Sequence, residues 1–321
     1  MDASACGRFR VTGKDRREFL HRMCTQDVRG LAAGTSRLAA FVTAKGRLLD
    51  AVTLADCGDF HLMITSPARR ESLVAWLTKY VLADDVRFTD LSGEGGAIRI
   101  AGPEVHAVAR TLGLPPAALE PGRISGVPVE GMDATIVAEA GPRPSVLLLA
   151  ESPGVNDLLS AAFAAAAAAG GGPAGEIARQ AVRVDEGVPE AGAEITEDWN
   201  PWEAGLDAAI SLSKGCYIGQ EVVARLNTYD KVSRRLVRLA LADSAPVAAR
   251  DPMRAVLPAG WTPGAALRHE GKDAGRVTST APDPRTGAPI ALGYLRGDRA
   301  AQGMVVDVAA GGGAVLPARV R

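Results

Sequence analysis

Residues 214–221 read Lys-Gly-Cys-Tyr-Ile-Gly-Gln-Glu, with Val223-Ala224-Arg225 behind them. The stretch sets Cys216 between Gly215 and Gly219, two residues after Lys214. A helical pattern follows, with Ile218, Val222 and Leu226 on one side and Glu221 and Arg225 on the other. A thiol at the start of a helix lies near the positive end of the helix dipole, and Lys214 adds a second cation. Both favour thiolate and mark Cys216 as a reactive group. Gly215 and Gly219 suit tight turning or the close approach of a ligand. The plainer reading of Cys216 is a small residue packed at a loop-to-helix joint.

Outward from this stretch, the chain upstream holds an irregular run from Gly187 to Ser211, long for a compact domain and of a kind often functional. Helical patterns precede it at Pro153–Ala169 and Glu176–Val184. Ala97–Ala101 and Ser145–Ala150 read as strands, with a helix over Pro103–Leu112 between them. Nearer the N-terminus, Arg8–Val11 reads as a strand and Arg16–Cys24 as a helix whose face carries Phe19, Leu20 and Met23. Leu38–Val42 and Leu48–Leu54 flank a hairpin turn, and Phe60–Ile64 follows as a further strand. Ser66 and Pro67 read as the N-cap and first turn of a helix through Tyr80, with Leu73, Trp76, Leu77 and Tyr80 as its apolar stripe. Downstream of Ser233 the character changes. Arg234–Leu241, Ala274–Thr278, Ile290–Tyr294 and Met304–Val308 are short apolar runs between Gly/Pro-rich turns, the pattern of a small β-barrel or sandwich. Two domains are expected, 1–232 and 233–321, in an α+β fold.

Composition excludes several function classes. The 321 residues are 47% hydrophobic and 23% charged, with a net charge of −1. No bulk charge argues for nucleic acid or a membrane surface, and no basic–aromatic repeat or reading helix is evident. The N-terminus lacks an apolar signal region, and the Ala-rich run Leu158–Ala169 is too short to span a bilayer. A cytoplasmic location with reduced thiols is the expectation. Cys6, Cys24, Cys57 and Cys216 show no CxxC spacing and the four histidines are scattered, so no metal site is signalled. Charge is uneven along the chain. Residues 1–50 hold ten Lys/Arg against five Asp/Glu, and residues 176–203 hold eight Asp/Glu against two Arg. These are either solvated faces or a cationic and an anionic wall of one site.

The octapeptide resembles the signature of the YgfZ family of folate-binding, iron–sulfur-maintenance proteins, which are similar in fold to the aminomethyltransferase (T-protein) of the glycine cleavage system. Val11-Thr-Gly-Lys-Asp, Phe19-Leu20, Thr25-Gln-Asp-Val and Lys45-Gly-Arg are similar to the opening of T-protein-like chains. Arg183-Val-Asp-Glu-Gly-Val-Pro and Pro201-Trp-Glu-Ala-Gly-Leu are similar to the approach to the signature. The resemblance implies a three-lobed ring, with two interleaved α/β lobes and a C-terminal β-barrel around a central folate channel. It implies tetrahydrofolate or a derivative as cofactor, and iron–sulfur assembly or client proteins as partners.

A reduced folate asks for a two-oxygen acceptor at its pterin head, a flat apolar wall for its aromatic linker, and a cation for its glutamate tail. The resemblance assigns the head to Asp185, with Glu186 beside it. A helix-end carboxylate is the alternative. Trp202 and Tyr217 are the candidate walls, or else core aromatics. Arg225 is the candidate tail cation, or else a partner of Glu221 at i,i+4. In Lys45-Gly-Arg-Leu-Leu-Asp50, Leu49 stands where T-protein-like chains carry the acid that orients folate for attack, and only Asp50 remains. Alternation along a strand would turn Asp50 to the opposite face. The leading reading is a tetrahydrofolate-binding accessory protein in iron–sulfur assembly or repair, with Cys216, Lys214 and Asp50 as the candidate chemical groups. The alternative is tetrahydrofolate-dependent aminomethyl or methyl transfer of the T-protein type.

Overall fold

A computed structural model describes residues 1–129, 132–151, 154–229, 231–242, 256–310 and 314–321. The chain divides into two compact units, one of Met1–Pro173 with Ala208–Gln220, the other of Ala174–Asp207 with Glu221–Arg321.

The first unit opens with β1 (Gly7–Thr12), α1 (Arg16–Met23), β2 (Thr35–Val42), β3 (Leu48–Asp56), β4 (His61–Thr65), α2 (Arg70–Thr78) and β5 (Arg87–Asp90). The strands form an antiparallel sheet in the order β2-β3-β4-β1-β5. α1 forms because its apolar residues recur at helical spacing, and Phe19, Leu20 and Met23 are buried against Phe9, Val11, Val52 and Leu54 of the sheet. Each such side chain contributes roughly 1.5–3 kcal/mol. In α2 only Leu73 and Leu77 are fully buried; the helix ends at Thr78, short of the expected Tyr80, whose ring lies 5.0 Å from that of Trp76.

The start of this helix differs from the expectation. Ser66 makes no side-chain cap, and Pro67–Arg69 is a 3-10 turn leading into α2. Both the Ser66 hydroxyl (2.6 Å) and its N–H (3.0 Å) donate to Asp50 instead. A buried carboxylate without these donors would be far costlier than an uncapped helix start.

A second antiparallel sheet in the same unit has the order β6-β9-β8-β7, from β6 (Gly95–Ala101), β7 (Ile124–Val129), β8 (Met132–Glu139) and β9 (Ser145–Glu151). α3 (Val105–Thr111) and α4 (Val155–Ala168) cover it through Val105, Val108, Leu158 and Ala162. The expected first residue of α4, Pro153, lies outside the described residues. The pairing is antiparallel throughout.

In the second unit, α5 (Glu176–Glu186) ends on Gly187 in the left-handed conformation, φ 76°. A long irregular stretch and α6 (Gln220–Thr228) precede β10 (Arg234–Leu241), β11 (Ala266–His269), β12 (Lys272–Pro282), β13 (Pro289–Arg296), β14 (Val305–Ala309) and β15 (Val315–Val320). These six strands close into a barrel in the order β10-β13-β12-β11-β14-β15. Its core holds Leu239, Trp261, Leu267, Leu295 and Val308, and α5 packs on its outside through Ala181 and Val184 against Ala281, Ile290 and Leu292. Closure leaves no unpaired edge. No helix among the described residues is long and apolar enough to cross a membrane.

Candidate functional site

In the first unit, the signature loop is anchored by its lysine. The Lys214 ammonium is buried and donates to the carbonyls of His21 (2.5 Å), Cys24 (2.6 Å) and Gln26 (2.8 Å). It also stands 4.8 Å over the Tyr217 ring. Its three N–H groups are therefore committed to the end of α1 and the turn after it. Burial first, then the Arg29 charge, holds the Lys214 pKa below its ordinary value, while Cys24, Asp27 and Glu18 oppose that shift. Burial also pushes the Tyr217 phenol up to about 12.

Cys216 is exposed, whereas Cys6 and Cys24 are buried and Cys57 is half-buried. α6 begins only at Gln220, so Cys216 is not in its first turn and the helix dipole does not act on it as expected. The two glycines also separate. Gly219 has φ +81°, and a Cβ there would stand 2.5 Å from the Thr43 carbonyl oxygen, so glycine is required where the loop meets the 43–46 turn. A Cβ at Gly215 would meet nothing nearer than 3.9 Å.

One residue beside this loop went unread in the sequence. His21 is on the buried side of α1, and its Nε2 has no hydrogen-bond partner among the described residues. A Cβ at Gly215, the neighbour of Cys216, would be 4.0 Å from that nitrogen. Nδ1 lies 3.3 Å from Asp27 Oδ1. Burial, with Lys214 and Arg29 adding to it, lowers the His21 pKa and favours the neutral ring. The only cue in the sequence was a histidine within an amphipathic helix, which more often means a core residue.

Asp50 lies on the inner face of β3, fully buried, while Leu49 is half-exposed on the other face. Its oxygens accept from Ser66 and from the Ala51 N–H (2.8 Å). Burial raises its pKa and these hydrogen bonds oppose the rise.

In the second unit, Asp185 is not an open acceptor. Its oxygens accept from Arg285 at 3.1 and 3.2 Å and from Arg321 at 3.4 Å. Trp202 is buried and its N–H donates to the Val223 carbonyl (2.8 Å), a core role. Arg225 is exposed, and the expected pair with Glu221 is not among the ion pairs of the described residues. The acidic stretch is largely spent internally. Glu176 and Glu190 bind Arg179, and the buried Glu194 binds Arg183 at 2.8 Å and Ser279 at 2.6 Å. The Arg179 hydrogen bond, chief among its causes, holds Glu176 down at about 2. An anionic wall of the kind expected is thereby mostly neutralised. Trp199, not singled out in the sequence, stacks on Tyr294 at 3.7 Å, with Arg276 5.0 Å and Arg234 5.7 Å from its ring centre. No cluster of three or more His, Cys, Asp or Glu that could hold a metal is found among the described residues.

The family model of the GCVT N-terminal domain matches residues 1–214, and that of the glycine cleavage T-protein C-terminal barrel domain matches residues 234–321. The chain belongs to the glycine cleavage T-protein family. A chloroplastic protein of Arabidopsis thaliana, named a putative transferase, is 31% identical over 310 residues, covering 96% of this chain and 67% of its own length. The aminomethyltransferase of Geobacillus kaustophilus is 28% identical over 314 residues, covering 96% of this chain and 82% of its own. The crystal structure of glycine cleavage system aminomethyltransferase T from Bartonella henselae superposes with a TM-score of 0.82 at 22% identity, over 100% of this chain and 84% of that one. The fold is that of the T-protein, with N-terminal α/β domains and a closed six-strand C-terminal barrel.

Proposed function

We propose that this protein binds a reduced folate, tetrahydrofolate or a derivative, and acts in the cytoplasm as a YgfZ-type accessory protein in the assembly or repair of iron–sulfur proteins. The observation that carries this reading is one exposed thiol, Cys216, on a loop that Lys214 braces with three hydrogen bonds. Burial raises the other thiols, with Cys57 reaching about 11, which leaves Cys216 as the accessible nucleophile or cluster-touching group. The iron–sulfur centre is cargo or client in this reading, not a resident group.

The T-protein family supports the folate part. Residues 1–232 form the folate-binding region and 233–321 the barrel domain. Arg225, exposed, suits the carboxylate tail of a folate. Trp202, its N–H already engaged, would contribute only packing. The Asp185–Glu186 pair takes the pterin head if Arg285 yields. Arg285 is 70% exposed but Asp185 only 12%, so displacing Arg285 costs more than breaking a fully exposed pair, which is worth about 0–1 kcal/mol. A bound folate would supply one-carbon chemistry or a regulatory signal. The chain's own residues bind it and present the thiol.

The names of the relatives favour a second reading, tetrahydrofolate-dependent aminomethyl transfer. Against it, Leu49 occupies the position of the orienting acid, and Asp50 is buried against Ser66. Two measurements separate the readings. Alkylation of the folded protein, read per cysteine by mass spectrometry, should modify Cys216 first. Cys216→Ser should then fail to restore iron–sulfur enzyme activity in cells lacking the protein, while still binding tetrahydrofolate in a calorimeter. Turnover of an aminomethylated carrier protein that vanishes in Asp50→Asn would sink the first reading in favour of the second.

A further inference from the structure

We infer that the barrel carries a binding site for a multivalent oxyanion. A cavity of about 480 Å³ in the second unit is lined by Arg238, Arg285, Arg319 and Arg321, with Asp185 and Gln302. Strand register explains how the arginines come together. Leu239 pairs with Val320 and Ala240 with Arg319, and the Arg321 N–H donates to the Arg238 carbonyl at 2.9 Å. Arg238 therefore stands opposite Arg321. Because side chains alternate along a strand, Arg238, Arg319 and Arg321 share one face, with the small Ala240 as the fourth position. Leu239 and Val320, on the other face, fill the barrel core, so the arginine face is the outer one. Arg285 joins from the turn between β12 and β13.

Like charges directly opposite one another in a sheet are destabilising. Two carboxylates offset part of this. Asp185 accepts from Arg285 and Arg321, and Asp283 accepts from Arg321 at 3.1 Å and faces Arg285 at 3.5 Å. Arg238 donates to the Asp185 backbone carbonyl and Arg319 to that of Gly303, neither of them a charged partner. Among the described residues, four guanidinium groups thus face two carboxylates, and the cavity keeps a surplus of positive charge. Guanidinium forks match the oxygens of phosphates and carboxylates. The volume exceeds what one phosphate needs and falls within the range of small-ligand pockets. The ligand class is therefore a compound with two or more phosphate groups, or a chain of closely spaced carboxylates. Asp185 and Arg285 also belong to the proposed pterin contact, so the titrations are made on the folate-free protein.

Calorimetric titration of the full chain with sodium pyrophosphate, and separately with tri-L-glutamate, tests the site. Saturable binding of at least one of them is expected, weakened about tenfold in Arg319→Gln and weakened further by raising salt to about 200 mM. Binding of pyrophosphate alone assigns the site to phosphates, and binding of triglutamate alone assigns it to a carboxylate chain. Absence of binding by either to the wild-type protein overturns the proposal, whatever the variants do. So does binding that Arg319→Gln and Arg238→Gln both leave unchanged. Should either glutamine variant fail to fold, Arg319→Lys keeps the charge but removes the fork, and a several-fold loss is expected of it.

Discussion

The two units bury their cations in opposite ways. In the first, Lys214 is held by three neutral carbonyls, with no carboxylate among its hydrogen-bond partners. Close by, the buried His21 Nε2 is without a hydrogen-bond partner among the described residues, and elsewhere in the unit so are both ring nitrogens of His61. In the second, Arg183 is closed into a network: its guanidinium donates to Glu194, to Ser279 and to the Val188 carbonyl, and Ser279 donates in turn to Glu194. A satisfied network fixes one geometry. Groups that lack partners or counter-charges remain sensitive to pH and to what comes near them, as a site needs. The signature loop thus rests on a responsive support, and the barrel's helix on a rigid one.

The sharpest way to break this contrast is at Glu194. Glu194→Ala leaves the buried Arg183 with only the half-buried Glu190, 3.5 Å from its Nε, as counter-charge and should cost about 3–5 kcal/mol of stability in denaturant unfolding. Replacing both partners with apolar residues, Arg183→Met with Glu194→Leu, should be much milder. A cost below about 1 kcal/mol for Glu194→Ala would show that the network is not what fixes this region.

A smaller effect is expected at Lys214. Lys214→Met removes charged hydrogen bonds to the carbonyls of His21, Cys24 and Gln26 and should cost about 1.5–3 kcal/mol. It should also change the alkylation rate of Cys216 by freeing the loop. A loss larger than that of Glu194→Ala would reverse the ranking of the two regions, and an unaltered labelling rate would detach the lysine from the thiol.

The smallest effect, taken over one pH unit, is a pH dependence belonging to the first unit. Burial pushes His61 down from 6.5 to about 4. Between those values the unfolded chain binds a proton that the folded chain does not, so the unfolded state gains as pH falls. The stability contribution is complete above about 6.5, declines by about 1.4 kcal/mol per pH unit as pH drops toward 4, and levels off below. Unfolding midpoints of wild type and His61→Gln across this window should converge toward acid. Parallel curves would mean that His61 is not the titrating group.

Much of the fold was legible locally. The apolar face of α1, the hairpin strands and β10 follow from periodicity that each segment carries by itself. β7 and β8 were not legible, because Gly126, Pro128 and alternating polar residues blur the period of a strand whose partner supplies the order. The acid at Asp50 and the cap at Ser66 were each read from their own neighbours, yet they satisfy one another sixteen residues apart. Of the candidate site, Cys216 and its loop stood out in the sequence, whereas His21 and the barrel's arginine cavity did not.

The sequence by itself determined the T-protein-like fold, its α+β character and the presence of a distinctive thiol, because these rest on contiguous motifs and short-range periodicity. Tertiary structure alone decided what the charged residues do. Lys214 reaches carbonyls nearly two hundred positions away, with a separation of 193 residues to His21. Asp185 is drawn to Arg285, 100 residues on, and Arg238 is brought opposite Arg321 by barrel register. Electrostatic roles depend on burial and distance in space, and neither is written in the local order of residues.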